Sequence, residues 1–288
     1  MQDGLLAATL SFGGGVVLLA VIVVFRPSTR SALLHGIPAL LRSGDLRWWH
    51  LLGGLGGATL VAGQGLAVPV LGVALVTVVM VAGTTAMSLV VDRSGIGPGV
   101  ARPVTTRRVL AAVFTTVAVA IAVSGRLAHG DVVWWAIVLV LVGGAFVAVQ
   151  PALNGTIALR SGDALAATAV NFAVGFAALA IALLVEHAAG HAWAPPPMPW
   201  EQPWLWLGGP IGVLFIALAS IVVKPLGVLL FGLLNIAGQL TGAMVADLFF
   251  PTPGTVVTWQ LVGGVLLTGV AITWAARPPR RRAAPAAS

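Results

Sequence analysis

The side chains in this sequence best suited to recognising a small molecule are amides spaced to share a helix face. Gln150 and Asn154 stand four residues apart, and so do Asn235 and Gln239. On a helix that spacing stacks two side chains one above the other. An amide offers N–H donors and a carbonyl acceptor without net charge, so such pairs can bind an uncharged organic solute, or equally can tie neighbouring helices together. Pro151, inside the first pair, removes a backbone donor and can open the helix locally. Gly238, beside the second pair, permits close approach of another element. Gln64 and Asn171 are single amides within apolar runs and complete the candidate substrate-binding set: Gln150, Asn154, Asn235, Gln239, Gln64 and Asn171.

Other chemistry is poorly represented. The chain has no cysteine, which excludes disulfides, thiolate metal sites and iron–sulfur clusters. Glu186, His187 and His191 imitate metal-ligand spacing, but Gly190 and the run Pro195-Pro196-Pro197 mark that stretch as an exposed loop. Asp92, Asp247 and Glu186 fall at or near the ends of apolar runs, where a carboxylate caps or orients a helix, and no acid stands mid-run as a proton carrier. No Gly-rich phosphate loop occurs, which argues against an ATP-driven pump. With no convergent nucleophile, base or metal cluster, the expectation is a protein that is not an enzyme and that carries no cofactor and no metal.

The elements that must position these amides are membrane spans. The chain is 59% hydrophobic and 8% charged, against about 25% charged residues in ordinary soluble domains. Its apolar runs have the length of helices that cross roughly 30 Å of hydrocarbon. The fold class expected is an all-α polytopic membrane bundle of nine transmembrane helices: 4–25, 48–68, 70–91, 105–124, 132–152, 164–185, 204–223, 225–250 and 256–276. The first run has no basic leader or small-residue cleavage site and reads as a retained span. Tryptophans recur at the expected ends (Trp48, Trp49, Trp134, Trp135, Trp204, Trp206, Trp259 and Trp274), where an amphipathic ring suits the headgroup level.

Charge asymmetry supports this phase. Arg26, Arg30, Arg42, Arg47, Arg93, Arg102, Arg107, Arg108, Arg160, Lys224, Arg277, Arg280, Arg281 and Arg282 all fall on one side, leaving only Arg126 of the fifteen basic residues on the other. The basic side is expected to be cytoplasmic, with the C-terminus inside. The localisation expected is multi-pass in a bacterial cytoplasmic (inner) membrane. The net charge of +7 is explained by topology, and its spread over several short joints argues against nucleic acid as a partner. Residues 278–288 read as a disordered basic cytoplasmic tail.

The chain also repeats itself. At a shift of 160, Asp3, Leu5, Ala7, Phe12 and Gly15 fall on Asp163, Leu165, Ala167, Phe172 and Gly175. At a shift of 155, Leu52-Gly53-Gly54 and Gly57 fall on Leu207-Gly208-Gly209 and Gly212, and Leu71-Gly72 falls on Leu226-Gly227. Ala82-Gly83, Asp92, Pro98 and Gly99 likewise fall on Ala237-Gly238, Asp247, Pro253 and Gly254. Recurrence after five helices, an odd number, inverts the second copy in the bilayer. The expected domains are a first repeat over 1–128 with four helices and a second over 129–277 with five. The helix at 132–152 has no counterpart in the first repeat: either the protein works with nine spans or, as the favoured expectation, a first helix has been lost ahead of Met1 through a start codon placed too late.

The segments Gln150-Pro151-Ala152-Leu153-Asn154, Asn171-Phe172-Ala173-Val174-Gly175, Leu207-Gly208-Gly209 and Ala237-Gly238-Gln239 with Asp247 resemble the YdcZ-like branch of the drug/metabolite transporter superfamily. The likeness covers nearly the whole chain. It implies five-helix units, here fused in tandem without the first helix, and an inner-membrane exporter. Thr84 stands where the second half has Gln239, so a site drawing on both copies would be asymmetric. The function expected is secondary transport of a small organic solute, outward, by alternating access, with membrane lipid around it and a homodimer as a possible assembly. The rival is a membrane structural or regulatory subunit that transports nothing.

Overall fold

The computed structural model describes residues 2–123, 133–190, 198, 201–249 and 259–276. Every regular element among them is helical: α1 (Gln2–Phe25), α2 (Pro27–Ser31), α3 (Ile37–Ser43), α4 (Gly54–Ser94), α5 (Thr106–Val123), α6 (Trp134–Ser161), α7 (Ala164–Ala188), α8 (Gly208–Leu226), α9 (Val228–Phe249) and α10 (Trp259–Ala276). Among the described residues, five stretches are long and apolar enough to cross a membrane: Leu5–Phe25, Val76–Ser94, Trp134–Ser161, Ala164–Ala188 and Gly208–Leu226. The fold is a polytopic helical membrane bundle. Large aliphatic side chains such as Val17, Ile181, Leu214 and Ile221 stay exposed on its outside, as a bundle solvated by lipid requires.

The 41 residues of α4 would extend about 60 Å if straight, twice the hydrocarbon thickness. They are not straight. The Thr59 carbonyl lies 3.9 Å from where a Cβ on Gly143 would stand, while the Met80 carbonyl is packed against Gly144. The early arm runs antiparallel to α6, with Gly56 against Phe146 and Gln150 and Gly63 facing Leu139. Ala67, Leu71 and Val76 then share a cluster with Ala136 and Val140. The late arm returns parallel to α6, with Thr84 donating to the Gly144 carbonyl at 3.0 Å and Val91 packed with Ala148 and Ala152. The two arms of the segment therefore fold back on each other along α6. The expected joint at Pro69 is nonetheless not a loop: the backbone stays helical from Gly54 to Ser94. An interior proline has no N–H to donate and crowds the carbonyl four residues back, so it bends a helix without requiring a loop.

The corresponding joint in the second half is a true break. It falls at Gly227, φ +79°, three residues beyond the expected position at Lys224, because only glycine takes that backbone without steric cost. Helix α6 also continues well past the expected end at Ala152, carrying Pro151 within it. Residues 26–47, read as a joint, fold into short helical turns. Ala32, Ile37 and Leu46 from this segment pack on Ile157, Ala166 and Ala167.

One end of the bundle collects the basic residues. Arg26 lies 4.0 Å from Asp163, Arg108 pairs with Asp92, and Arg102 donates to the Pro225 carbonyl at 2.6 Å. The end of α10 returns there too, with Trp274 5.8 Å from Phe114 of α5. Residues 277–288, including the expected tail, lie outside the described residues, as does Arg126.

Candidate functional site

Three of the six candidate amides meet in the bundle interior. Gln150 and Asn154 project from the same face of α6, as their spacing dictates, and Asn171 comes from α7. Asn171 Oδ1 accepts from Gln150 Nε2 at 3.0 Å and from Asn154 Nδ2 at 2.8 Å. Gln150 is 8% exposed, and Asn154 and Asn171 are each 1% exposed. Two atoms of the cluster, Asn154 Oδ1 and Asn171 Nδ2, have no protein partner. A buried acceptor and donor left open cost about 1–3 kcal/mol each, so the cluster holds one unused acceptor and one unused donor for a further polar group.

Glycines bring the start of α4 onto this cluster. A side chain at Gly53 would run into Asn154 Oδ1, and one at Gly54 into the Asn171 carbonyl and the Gly175 amide. Gly56 sits over Gln150, its would-be Cβ 3.1 Å from Oε1. Small residues let helix backbones close to this distance. The structure puts the amide contacts directly beneath these glycines.

The other candidates are placed differently. Asn235 is half-buried and Gln239 is exposed on α9, and neither is within hydrogen-bonding distance of the three-amide cluster. Gly238 beside them has nothing within 4 Å of its Cβ position. Gln239 is exposed while Gln150 is buried, so the two do not share one interior in this conformation. The side chain of Gln64 lies outside the described residues.

Asp92 is a residue whose role the sequence signalled. It is 7% exposed and caps α9: Oδ1 accepts from the Val228 amide at 2.6 Å and Oδ2 from the Leu229 amide at 3.1 Å. Arg108 pairs with the same carboxylate. A carboxylate at a helix N-terminus meets unsatisfied N–H groups and the positive end of the dipole. The late arm of α4, the start of α5 and the start of α9 are thus fastened at one point. Asp163 does the same for α7, accepting from the Ala166 amide at 3.0 Å and from the Thr29 hydroxyl at 2.8 Å. Among the described residues no group of three or more His, Cys, Asp or Glu side chains could hold a metal. His191, part of the Glu186/His187/His191 spacing, lies outside them.

The family model described as "Putative inner membrane exporter, YdcZ", within the drug/metabolite transporter superfamily, matches residues 1–121 and 135–274. The chain belongs to this family. No curated protein matches it. Membership in the YdcZ family assigns a transporter class and not a catalytic one, in agreement with the absence of catalytic motifs and cysteine. The buried amides of this YdcZ-family chain donate and accept hydrogen bonds and have no acid–base or nucleophilic capacity.

The contacts between α1 and α7 add a feature that composition does not predict. A Cβ at Gly15 would strike the Phe172 ring, and one at Gly175 would strike the Phe12 ring. Gly54 lies on the Asn171 carbonyl and Gly175 amide, and Gly209 lies on the Ser11 carbonyl and Gly15 amide. Gly57 faces Phe12 and Gly212 faces Phe172. Each contact recurs with its members replaced by the residues that the two shifts pair with them. The exception is chemical: Asn171 has Ser11 as its counterpart, so only one side carries the amide.

Proposed function

We propose that this chain is a secondary transporter of the drug/metabolite type that moves a small organic solute outward by alternating access, with two inverted halves rocking about the α1–α7 seam. The observation that carries the reading is the Gln150–Asn154–Asn171 cluster, with an open donor and an open acceptor held inside a membrane bundle. Intramembrane polar groups that lack partners are functional candidates by default, and a passing solute with one acceptor and one donor would complete these two.

Three further observations support it. The family model matches two separate stretches, 1–121 and 135–274, in keeping with two units in tandem. The reciprocal glycine–phenylalanine contacts are what a pseudo-two-fold axis between inverted units produces. The exposed Gly238 and Gln239 also follow from the repeat: their counterparts Gly83 and Thr84 lie against Leu141 and Gly144 of α6, and α6 has no counterpart within residues 1–128. On this reading the basic end faces the cytoplasm, the folded-back α4 supplies two spans, and the nine-helix count stands as read from the sequence. Helices α6 and α7 supply the solute contacts, and Asn235, Gln239 and Gln64 belong to other stages of the cycle.

The reading is tested by loading proteoliposomes with a panel of labelled neutral metabolites and dyes and following efflux. Asn171→Ala and Gln150→Ala should slow the efflux of any solute the parent moves. If a correctly folded parent moves nothing across a broad panel, the chain is a membrane subunit without transport of its own.

A further inference from the structure

A cavity of about 420 Å³ opens at the basic end of the bundle between the end of α1, the end of α6, the start of α7 and α8. Its volume falls in the range of small-molecule sites, roughly 300–1,000 Å³. It lies apart from the amide cluster, and the transport reading makes no use of it. Its lining is of two kinds. Arg26, Asp163 and Lys224 form the polar rim, while Leu159, Ala217 and Ile221 contribute aliphatic surface.

The charges on the rim are unequal in availability. Both Asp163 oxygens are engaged, Oδ1 by the Ala166 amide and Oδ2 by the Thr29 hydroxyl, with Arg26 Nε 4.0 Å from Oδ2. Arg26 remains 55% exposed, its Nε donating to the Ser28 hydroxyl at 3.2 Å. Among the described residues, Lys224 has no ion-pair partner and is exposed. The rim therefore carries a net positive charge with an uncommitted ammonium. The aliphatic wall continues onto the outer surface, because Leu159 and Ile221 are 42% and 58% exposed. A basic pocket at headgroup level with an apolar side exit is the chemistry that holds an anionic head and lets a chain lie along the protein.

We propose that this cavity binds an anionic amphiphile, its phosphate or carboxylate between Lys224 and Arg26 and its hydrocarbon along Leu159, Ala217 and Ile221. The ligand comes either from the membrane, as an acidic phospholipid, or from the aqueous side, as a soluble amphiphilic anion. The site does not depend on transport and stands or falls separately from it.

Native mass spectrometry of the full chain, stripped of lipid and titrated with phosphatidylglycerol or phosphatidylcholine, tests the proposal. One phosphatidylglycerol should be retained preferentially. Lys224→Gln should weaken its retention about fivefold, and the Arg26→Gln/Lys224→Gln double change about 25-fold, at roughly one headgroup interaction lost per charge. Ala217→Phe should abolish retention with every charge in place. Because Lys224 is exposed, Lys224→Gln keeps the test decisive even if Ala217→Phe folds poorly. Dodecyl phosphate distinguishes the sources. Displacement of phosphatidylglycerol by low concentrations of it supports a soluble ligand, and a bound phosphatidylglycerol that resists it supports a membrane lipid. Equal retention of the two phospholipids, or retention unchanged by Lys224→Gln, overturns the proposal.

Discussion

The rings of Phe12 and Phe172 meet with centroids 5.1 Å apart and planes tilted by 37°, and each ring covers the glycine three residues after the other: Phe12 lies on Gly175 and Phe172 on Gly15. Two antiparallel helices, α1 and α7, thus exchange the same contact in both directions. Two copies of one unit meeting about an axis would produce such an exchange, which is the arrangement proposed above.

That seam makes a sharp contrast between the adjacent Gly14 and Gly15, with Gly175 as the second seam glycine. Gly15→Ala should destabilise the fold by about 1–3 kcal/mol through overpacking against a buried ring. Gly14→Ala, with nothing within 4 Å of its Cβ position, should be neutral or slightly stabilising. Gly175→Ala should match Gly15→Ala. Thermal unfolding in a mild detergent, read by tryptophan fluorescence, ranks the three.

The folded-back course of α4 predicts a distance. Because the chain has no cysteine, Thr59→Cys and Met80→Cys can carry spin labels without other changes. A straight helix would separate these positions by about 32 Å. Packing of both residues on the Gly143–Gly144 pair should instead give a pulsed electron resonance distance within about 20 Å, label arms included.

Asp92 should be the most sensitive acid. Asp92→Asn keeps one acceptor for the α9 amides but leaves the Arg108 guanidinium, whose side chain is only 13% exposed, without its counter-charge. The expected loss is about 2–3 kcal/mol, the range for a charge-assisted hydrogen bond in a partly buried site. Arg108→Gln should lose less, because Asp92 retains the Val228 and Leu229 amides. Midpoints of thermal unfolding for the two variants, compared side by side, check the order.

Asn171 is the hub of the amide cluster, since its Oδ1 accepts both neighbouring donors. Asn171→Ala should therefore cost more than Gln150→Ala or Asn154→Ala. The expectation is about 1–3 kcal/mol for the hub, against about 1 kcal/mol for either single donor. The double change Gln150→Ala/Asn171→Ala should cost less than the sum of its parts, because the two remove the same bond.

Much of this was written in the order of the residues. The four-residue spacing of Gln150 and Asn154 was enough to put them on one face of α6, and Asp92 was legible as a cap because it ends an apolar run. The pairing of those amides with Asn171 was not legible, since it depends on how α6 and α7 pack and a single amide carries no signal of its partner. Asn235 and Gln239 show the limit of the same argument. Spacing fixes which side of a helix a pair shares, but what covers that side is decided by other helices, and α9 turns this face outward. Pro69 misled for a related reason: an interior proline can bend a helix without ending it, so its presence at an expected joint did not dictate a loop, and the reversal of α4 is visible only through its contacts with α6.

The most direct measurement is solute efflux from proteoliposomes holding the parent chain, Asn171→Ala, and Gly14→Ala as a packing control, each checked for intact folding. The account predicts that the parent moves at least one uncharged organic solute, that Gly14→Ala moves it equally well, and that Asn171→Ala loses at least tenfold in rate, roughly the effect of one buried hydrogen bond to the solute. Efflux by Asn171→Ala at the parent's rate would contradict it.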